Sequence, residues 1–116
     1  MSNDELSEIH GFHAHVYYDE ATLEQARRLC EAARQRFSLS LGRMHQRLVG
    51  PHPCWSCQLE FAPENFGEII PWLALNRDGL IVFIHPETGD DLKDHTRHAI
   101  WMGKIMPLDL SIFDNK

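Results

Sequence analysis

Apolar and polar residues alternate along Phe12-His13-Ala14-His15-Val16-Tyr17-Tyr18. Read with period two, Phe12, Ala14, Val16 and Tyr18 share one face of a strand, and His13, His15 and Tyr17 share the other. The first face is what a strand packed on helices needs. The second is unusual, because imidazole is neither a good core filler nor a typical solvent-facing group. Histidines at i and i+2 project the same way, about 7 Å apart along the strand. That spacing suits two ligands of one metal ion or two polar groups lining one pocket. The plainer alternative is a half-exposed strand whose histidines bond to neighbours and water.

The pattern then changes period. From Glu20 to Phe37, Leu23, Ala26, Cys30, Ala33 and Phe37 recur at three- and four-residue spacing, which predicts an amphipathic helix capped by Asp19 or Thr22. Leu39 to Gly42 connects it to a second predicted strand, Arg43–Val49, charged enough to be an edge. Gly50-Pro51-His52-Pro53 must be a turn, since proline cannot extend a ladder. Trp55–Phe61 alternates again, with Trp55, Cys57, Leu59 and Phe61 on one face. Pro63 to Arg77 predicts a second helix, kinked or broken at Pro71. Leu80–Ile84 is a continuous apolar run, the mark of a strand buried on both faces, and it leads into His85-Pro86. A polar segment follows with Leu92, His95 and Ala99 at helical spacing, and then Trp101, expected to pack on the domain.

The order β-α-β-β-α-β predicts an α+β, ferredoxin-like antiparallel sheet with both helices on one face and a C-terminal extension. Its usual strand order, 4-1-3-2, puts the His-x-His strand in the middle, with His85 at the end of strand four beside His13 at the start of strand one. Two helices cover one sheet face only, so the histidine face is left for the tail or for a second copy. A homodimer, with sheet faces walling the pocket in a dimeric α/β barrel-like assembly, is the expectation.

Composition narrows the class. The 116 residues predict one domain over 11–116 after a flexible polar N-terminus, 1–10. A formal charge of −6 with no basic stripe argues against nucleic acid as a partner. No apolar run approaches a membrane span, and the acidic start is unlike a signal peptide. Three cysteines, an odd number, point to a reducing compartment, so a cytoplasmic location is expected. Cys54-Trp-Ser-Cys57 is a weak C-x-x-C, without a second pair and with its two cysteines on opposite faces of a strand. Cys30 reads as a small core residue.

Eight histidines change the picture more. Topology alone gathers His13, His15 and His85, and three neutral imidazoles suit Zn, Fe, Cu or Ni. His52 belongs to the opposite end of strand one, and enters the same pocket only if the sheet coils or a partner subunit supplies it. His95 can fold over the open face, with Asp94 beside it to orient a histidine. His10, His45 and His98 read as surface residues. The same cluster would also serve to bind an anionic ligand without metal.

Six short motifs occur in order: His13-Ala14-His15 before Val-Tyr-Tyr, Gly50-Pro51-His52-Pro53, Asn76-Arg77-Asp78-Gly79-Leu80, His85-Pro86-x-Thr88, Asp94-His95, and Ala99-x-Trp101-x-Gly103. Together they resemble the DOPA 4,5-dioxygenase family of small ring-cleaving proteins over about residues 12 to 110. The resemblance implies a dioxygenase that opens a catechol beside its hydroxyls with O2, at a non-haem metal, Fe(II) first and Zn or another divalent ion as a stand-in. The histidines it singles out are His13, His15, His52, His85 and His95: the strand residues His13, His15 and His85 as metal ligands, His52 and His95 as the groups that accept and return the catechol proton. Non-haem iron usually takes two histidines and one carboxylate; Glu60 lies on a suitable strand but in none of these motifs, and Asp94 is remote in the tail, so no carboxylate ligand is named. Arg77 is a candidate partner for a substrate carboxylate, or simply a turn cap. Tyr17, Trp55 and Phe83 are candidates for an aromatic wall, with core packing the plainer role for the last two. Cys57 stands where the family usually has tyrosine, so substrate contacts on that strand are expected to differ. Two readings compete with the enzyme: a binding protein that holds a metal or phenolic ligand without turnover, and a dimeric ferredoxin-like protein whose histidines are structural.

Overall fold

The computed structural model describes residues 8–113. Most of the N-terminus expected to be flexible, 1–7, and the last residues of the expected domain, 114–116, lie outside the described residues. Five strands form one antiparallel sheet: β1 Gly11–Tyr18, β2 Ser40–Leu41, β3 Trp55–Phe61, β4 Ile81–Glu87 and β5 Ile100–Met102. Their order is β2-β3-β1-β4-β5, the ferredoxin-like arrangement with one strand added at the β4 edge. Three helices accompany it, α1 Leu23–Arg36, α2 Phe66–Asn76 and α3 Asp91–His95. Among the described residues no helix is long and apolar enough to cross a membrane.

The apolar halves of the alternating strands form the core. Ala14, Val16, Cys57, Leu59, Val82 and Ile84 are wholly buried against Ala26, Cys30 and Ala33 of α1 and Ile69 and Leu73 of α2. The two expected caps bond to each other in the turn before α1, Thr22 N–H donating to Asp19 Oδ1 (3.0 Å) and Asp19 N–H to Thr22 Oγ1 (2.9 Å), and Thr22, the N-cap, makes no side-chain bond to a helix N–H. Pro71 sits inside α2 without ending it, and the break falls earlier, where the 3₁₀ turn Pro63–Asn65 passes into the helix.

The second strand differs from expectation. Pairing is confined to Ser40 opposite Glu60 and Leu41 opposite Leu59, and 43–49 forms no strand. The chain keeps to the edge of β3, since Gly42 N–H reaches Gln58 C=O (2.8 Å) and His45 N–H reaches Ser56 C=O (3.1 Å). The second contact is one residue out of step with the first, so an extra residue has been accommodated and the ladder ends, as at a bulge. The tail differs too. Its helix stops at His95, leaving Ala99 outside, and Ile100–Met102 pairs with Val82–Ile84 as β5.

The sheet face away from α1 and α2 is covered by this same tail. Trp101 of β5 stacks on Phe83 (ring centroids 4.4 Å apart), and His95 of α3 lies over His85 (4.0 Å) with Phe113 against it (4.8 Å). Asp109 N–H donates to Pro51 C=O (2.8 Å), which ties the end of the tail to the proline turn across the face.

Candidate metal centre and active site

Period two in three neighbouring strands builds the site. In β1 it presents His13, His15 and Tyr17; His13 lies directly opposite His85 of β4 and Glu60 of β3, and His15 opposite Phe83 and Gln58. His13, His15 and His85 each offer a ring nitrogen within 4.8 Å of the others. The closest approach is His15 Nε2 to His85 Nε2, 3.1 Å. His85 Nδ1–H donates to Pro86 C=O (3.0 Å), and because a carbonyl only accepts, the lone pair of His85 is on Nε2. A proton on His15 Nε2 fills the gap between the two rings. A cation in its place would find two lone pairs converged at a separation suited to adjacent ligands at about 2.1 Å. The donor set therefore fits a metal ion.

Electrostatics favour the neutral, ligating form. Burial holds His15 well below the usual histidine range, helped by the imidazoles of His52, His85 and His13. Burial likewise pulls His52 and His85 down to about 4. His13 is the open member of the set: its side chain is 19% exposed, whereas His85 is 2% exposed. Two carboxylates flank it. Glu87 Oε1 lies 2.9 Å from His13 Nδ1 and 3.9 Å from His85 Nδ1, and Glu60 Oε2 lies 3.4 Å from His13 Nε2. Burial raises Glu87 above the ordinary carboxylate range, against the pull of His13. Neither carboxylate joins the three-imidazole group itself. Glu87 is placed to hold His13 in orientation, the outer-shell task that carboxylates perform for ligating histidines.

The proline turn does bring His52 in, and within a single chain. Gly50 takes φ +54°, a left-handed conformation that glycine adopts without strain, and the turn behind it lays the His52 ring 4.1 Å from that of His15. Tyr17 Oη lies 2.8 Å from His52 Nδ1. His95 arrives from the opposite side on α3, with Nδ1–H donating to Asp91 C=O (2.7 Å). All five expected histidines thus form one contiguous set.

Residues 12–112 match the Dopa 4,5-dioxygenase family. The chain belongs to that family. Among its relatives, the DOPA 4,5-dioxygenase of Amanita muscaria is 32% identical over 114 residues, covering 90% of this chain and 50% of that protein. An uncharacterized 21.2 kDa protein of Botryotinia fuckeliana is 41% identical over 113 residues, covering 87% of this chain and 62% of that one. The chain therefore spans between half and about two thirds of the length of these curated relatives. A crystal structure of a candidate dioxygenase from Nostoc punctiforme superposes with a TM-score of 0.90 at 42% identity, covering 92% of this chain and 93% of that one. Family and structural neighbour both point to a dioxygenase.

The remaining candidates settle into particular roles. Asp94 does orient a histidine, and it is His98 rather than its neighbour His95. Asp94 is wholly buried and accepts from Thr88 N–H (2.8 Å), Thr88 Oγ1–H (2.6 Å) and His98 Nδ1–H (2.9 Å). Burial alone would raise its pKa, but those donors outweigh it and hold the carboxyl below its usual value. Its work is to fasten the β4–α3 connection, and so to set α3 and His95 over the sheet. Arg77 donates to Leu80 C=O (3.0 Å) and lies against Gly103, as a turn cap would. Trp55 packs with Tyr18 (ring centroids 6.5 Å apart) on the helix side, whereas Phe83 sits among the histidines. Cys57 also faces the helices, against Cys30, so the departure from tyrosine there lies on the sheet face opposite the histidines. Trp101, expected to pack on the domain, does so on the histidine face, whereas Glu87 and Phe113 were not singled out from the sequence. Glu87 follows from extending the period of Phe83 and His85 by one more step. Phe113 carries no such signal.

Proposed function

We propose that the protein is an extradiol-type dioxygenase, which opens a catechol ring beside its hydroxyls with O2 at a non-haem Fe(II) held by His13, His15 and His85. The observation that carries this reading is the convergence of three imidazoles on one point, next to two further histidines. The ion's contribution, when bound, is to acidify the catechol hydroxyls and bring ring and O2 to one centre. The chain's own residues do the rest. His95 and His52 handle protons at the substrate oxygens. Phe83, Trp101 and Phe113 keep water from the buried side. His13, with Glu60 and Glu87 around it, forms the rim through which a substrate enters. A catechol of the DOPA type is the proposed substrate, the cytoplasm the proposed location and a homodimer the proposed assembly.

The test is anaerobic reconstitution with Fe(II), followed by air and a panel of catechols. A yellow ring-opened semialdehyde, absent from His85→Ala, is the expected result. Stoichiometric iron with no O2 uptake on any catechol would overturn the enzyme. One observation favours a second reading, a protein that sequesters a metal or phenolic ligand. His15, His52 and His85 are all buried under the tail, and a site so closed holds a ligand more readily than it exchanges one. Tight binding without oxygen consumption would select that reading.

A further inference from the structure

His52 and His95 are the same residue type in the same pocket, but their Nδ1 atoms meet opposite partners. His95 Nδ1 faces a backbone carbonyl, that of Asp91, at 2.7 Å. A carbonyl can only accept, so this nitrogen carries the ring proton and Nε2 keeps the lone pair. His52 Nδ1 faces the phenol of Tyr17 at 2.8 Å. Tyr17 is buried, and among the described residues no other hydrogen-bond partner reaches its hydroxyl. Were the phenol to accept from His52, its own proton would be stranded away from water, at the cost of an unmade buried hydrogen bond. Tyr17 therefore donates, His52 Nδ1 is the acceptor, and the proton of the neutral His52 ring is on Nε2.

We infer that Tyr17 is a positioning residue that makes His52 a hydrogen-bond donor, while the Asp91 carbonyl makes His95 an acceptor, so the two histidines have fixed and different duties. This rests on the dioxygenase reading for its chemical meaning. His95 Nε2 takes the proton of a catechol hydroxyl, and the resulting imidazolium keeps its bond to Asp91 through Nδ1–H. His52 Nε2–H donates to an oxygen on which negative charge develops, the contribution that a fixed donor makes in acyl-transfer sites. A second base at His52 would compete for the same proton; a donor there complements the first.

The experiment reads tautomers directly, by long-range proton–nitrogen correlation NMR on the full chain, ¹⁵N-labelled and free of metal. The expected spectrum shows His52 with an unprotonated Nδ1 and protonated Nε2, and His95 with the reverse. In Tyr17→Phe, His52 should lose its single tautomer while His95 keeps its own. A protonated Nδ1 on His52 in the wild type would overturn the inference, as would an unchanged His52 pattern in Tyr17→Phe. Should the variant not fold, the wild-type spectrum still decides. With L-DOPA as probe, Tyr17→Phe should lower kcat about tenfold and His52→Ala about a hundredfold, with KM little changed. Failure of every catechol to react would remove the dioxygenase but leave the tautomer result standing, so the two ideas fail separately.

Discussion

The two faces of the sheet are buried to nearly the same depth by opposite means. On the helix side, Ala14, Val16, Leu59, Val82 and Ile84 are wholly buried, apolar and without directional demands. On the other side, the intervening residues His15, Tyr17, Phe83 and His85 are between 0% and 5% exposed, yet three of the four are polar and each polar ring has a named partner. Burial of apolar area contributes stability wherever it occurs. Burial of imidazole contributes little, and costs whatever its partners fail to supply. The helix face therefore holds the fold, and the histidine face is maintained for chemistry.

The sharpest way to break the comparison is to delete one residue from each face. His85→Ala should weaken Fe(II) or Zn(II) binding by more than about a hundredfold, the upper range for losing an outer-shell partner, and should abolish turnover. Its unfolding free energy should change by less than a core deletion, because an imidazole leaves with its own desolvation cost. Leu59→Ala, in β3 on the opposite face of the sheet, should cost about 3 kcal/mol in urea unfolding and leave metal affinity per folded molecule intact. Equal stability losses in the two variants would show that the histidine face is part of the core.

Acid should distinguish the faces next. His52 and His85 have folded pKa values pulled down to about 4 by burial, and His15 is shifted the same way; unfolded histidine titrates near 6.5. The unfolded chain therefore binds more protons across that interval, and stability rises with pH there. Their stabilising share is complete above about pH 6.5 and is lost as pH falls through about 4, on the order of 3 kcal/mol for each fully shifted group. Urea midpoints measured from pH 7.5 to 4 check this. Bound metal should extend the dependence to lower pH, because ligation keeps the proton off the folded chain's nitrogens while the unfolded chain still takes it up.

The unequal legibility of the chain has the same origin. Helix-face positions follow from period alone, since any apolar residue in step with Ala14 and Val16 serves, and α1 and β3 were readable for that reason. The histidine face was readable as a set of residues but not as a set of roles. His13, His15 and His85 come together because antiparallel pairing brings them together. The duties of His52 and His95 depend on an atom-level partner, a Tyr17 phenol or an Asp91 carbonyl, that no spacing encodes. Asp94 shows the same limit: it was expected to orient a histidine and does, but spacing left open which one, and its partners are Thr88 and His98. At 43–49 alternation was present and the strand was not, because one residue out of step ends the ladder. At Pro86 the proline hid two further strand residues. β5 covers β4 only along Val82–Ile84, so beyond it β4 has a single neighbour, and a missing donor is tolerated there.

Glu87 is where that hidden extension bears on function, and it gives the smallest effect. Its carboxylate lies 2.9 Å from His13 Nδ1 and is partly exposed, so it is not an obligatory ligand. If it orients His13, Glu87→Gln should keep a hydrogen bond but lose the charge, and metal affinity should fall about tenfold, the low end for an outer-shell partner. Stability should hardly move, because the pair sits on the rim rather than beneath the tail. Isothermal titration with Zn(II) at fixed pH measures the affinity, and Glu60→Gln is the control for the other carboxylate beside His13. A loss as large as that in His85→Ala would instead make Glu87 a ligand, completing two-histidine, one-carboxylate coordination in which His13 is the displaced member. No loss in either glutamine variant would mean that the strand ladder alone orients His13, and that the boundary between the two faces runs along the backbone rather than through the side chains at the rim.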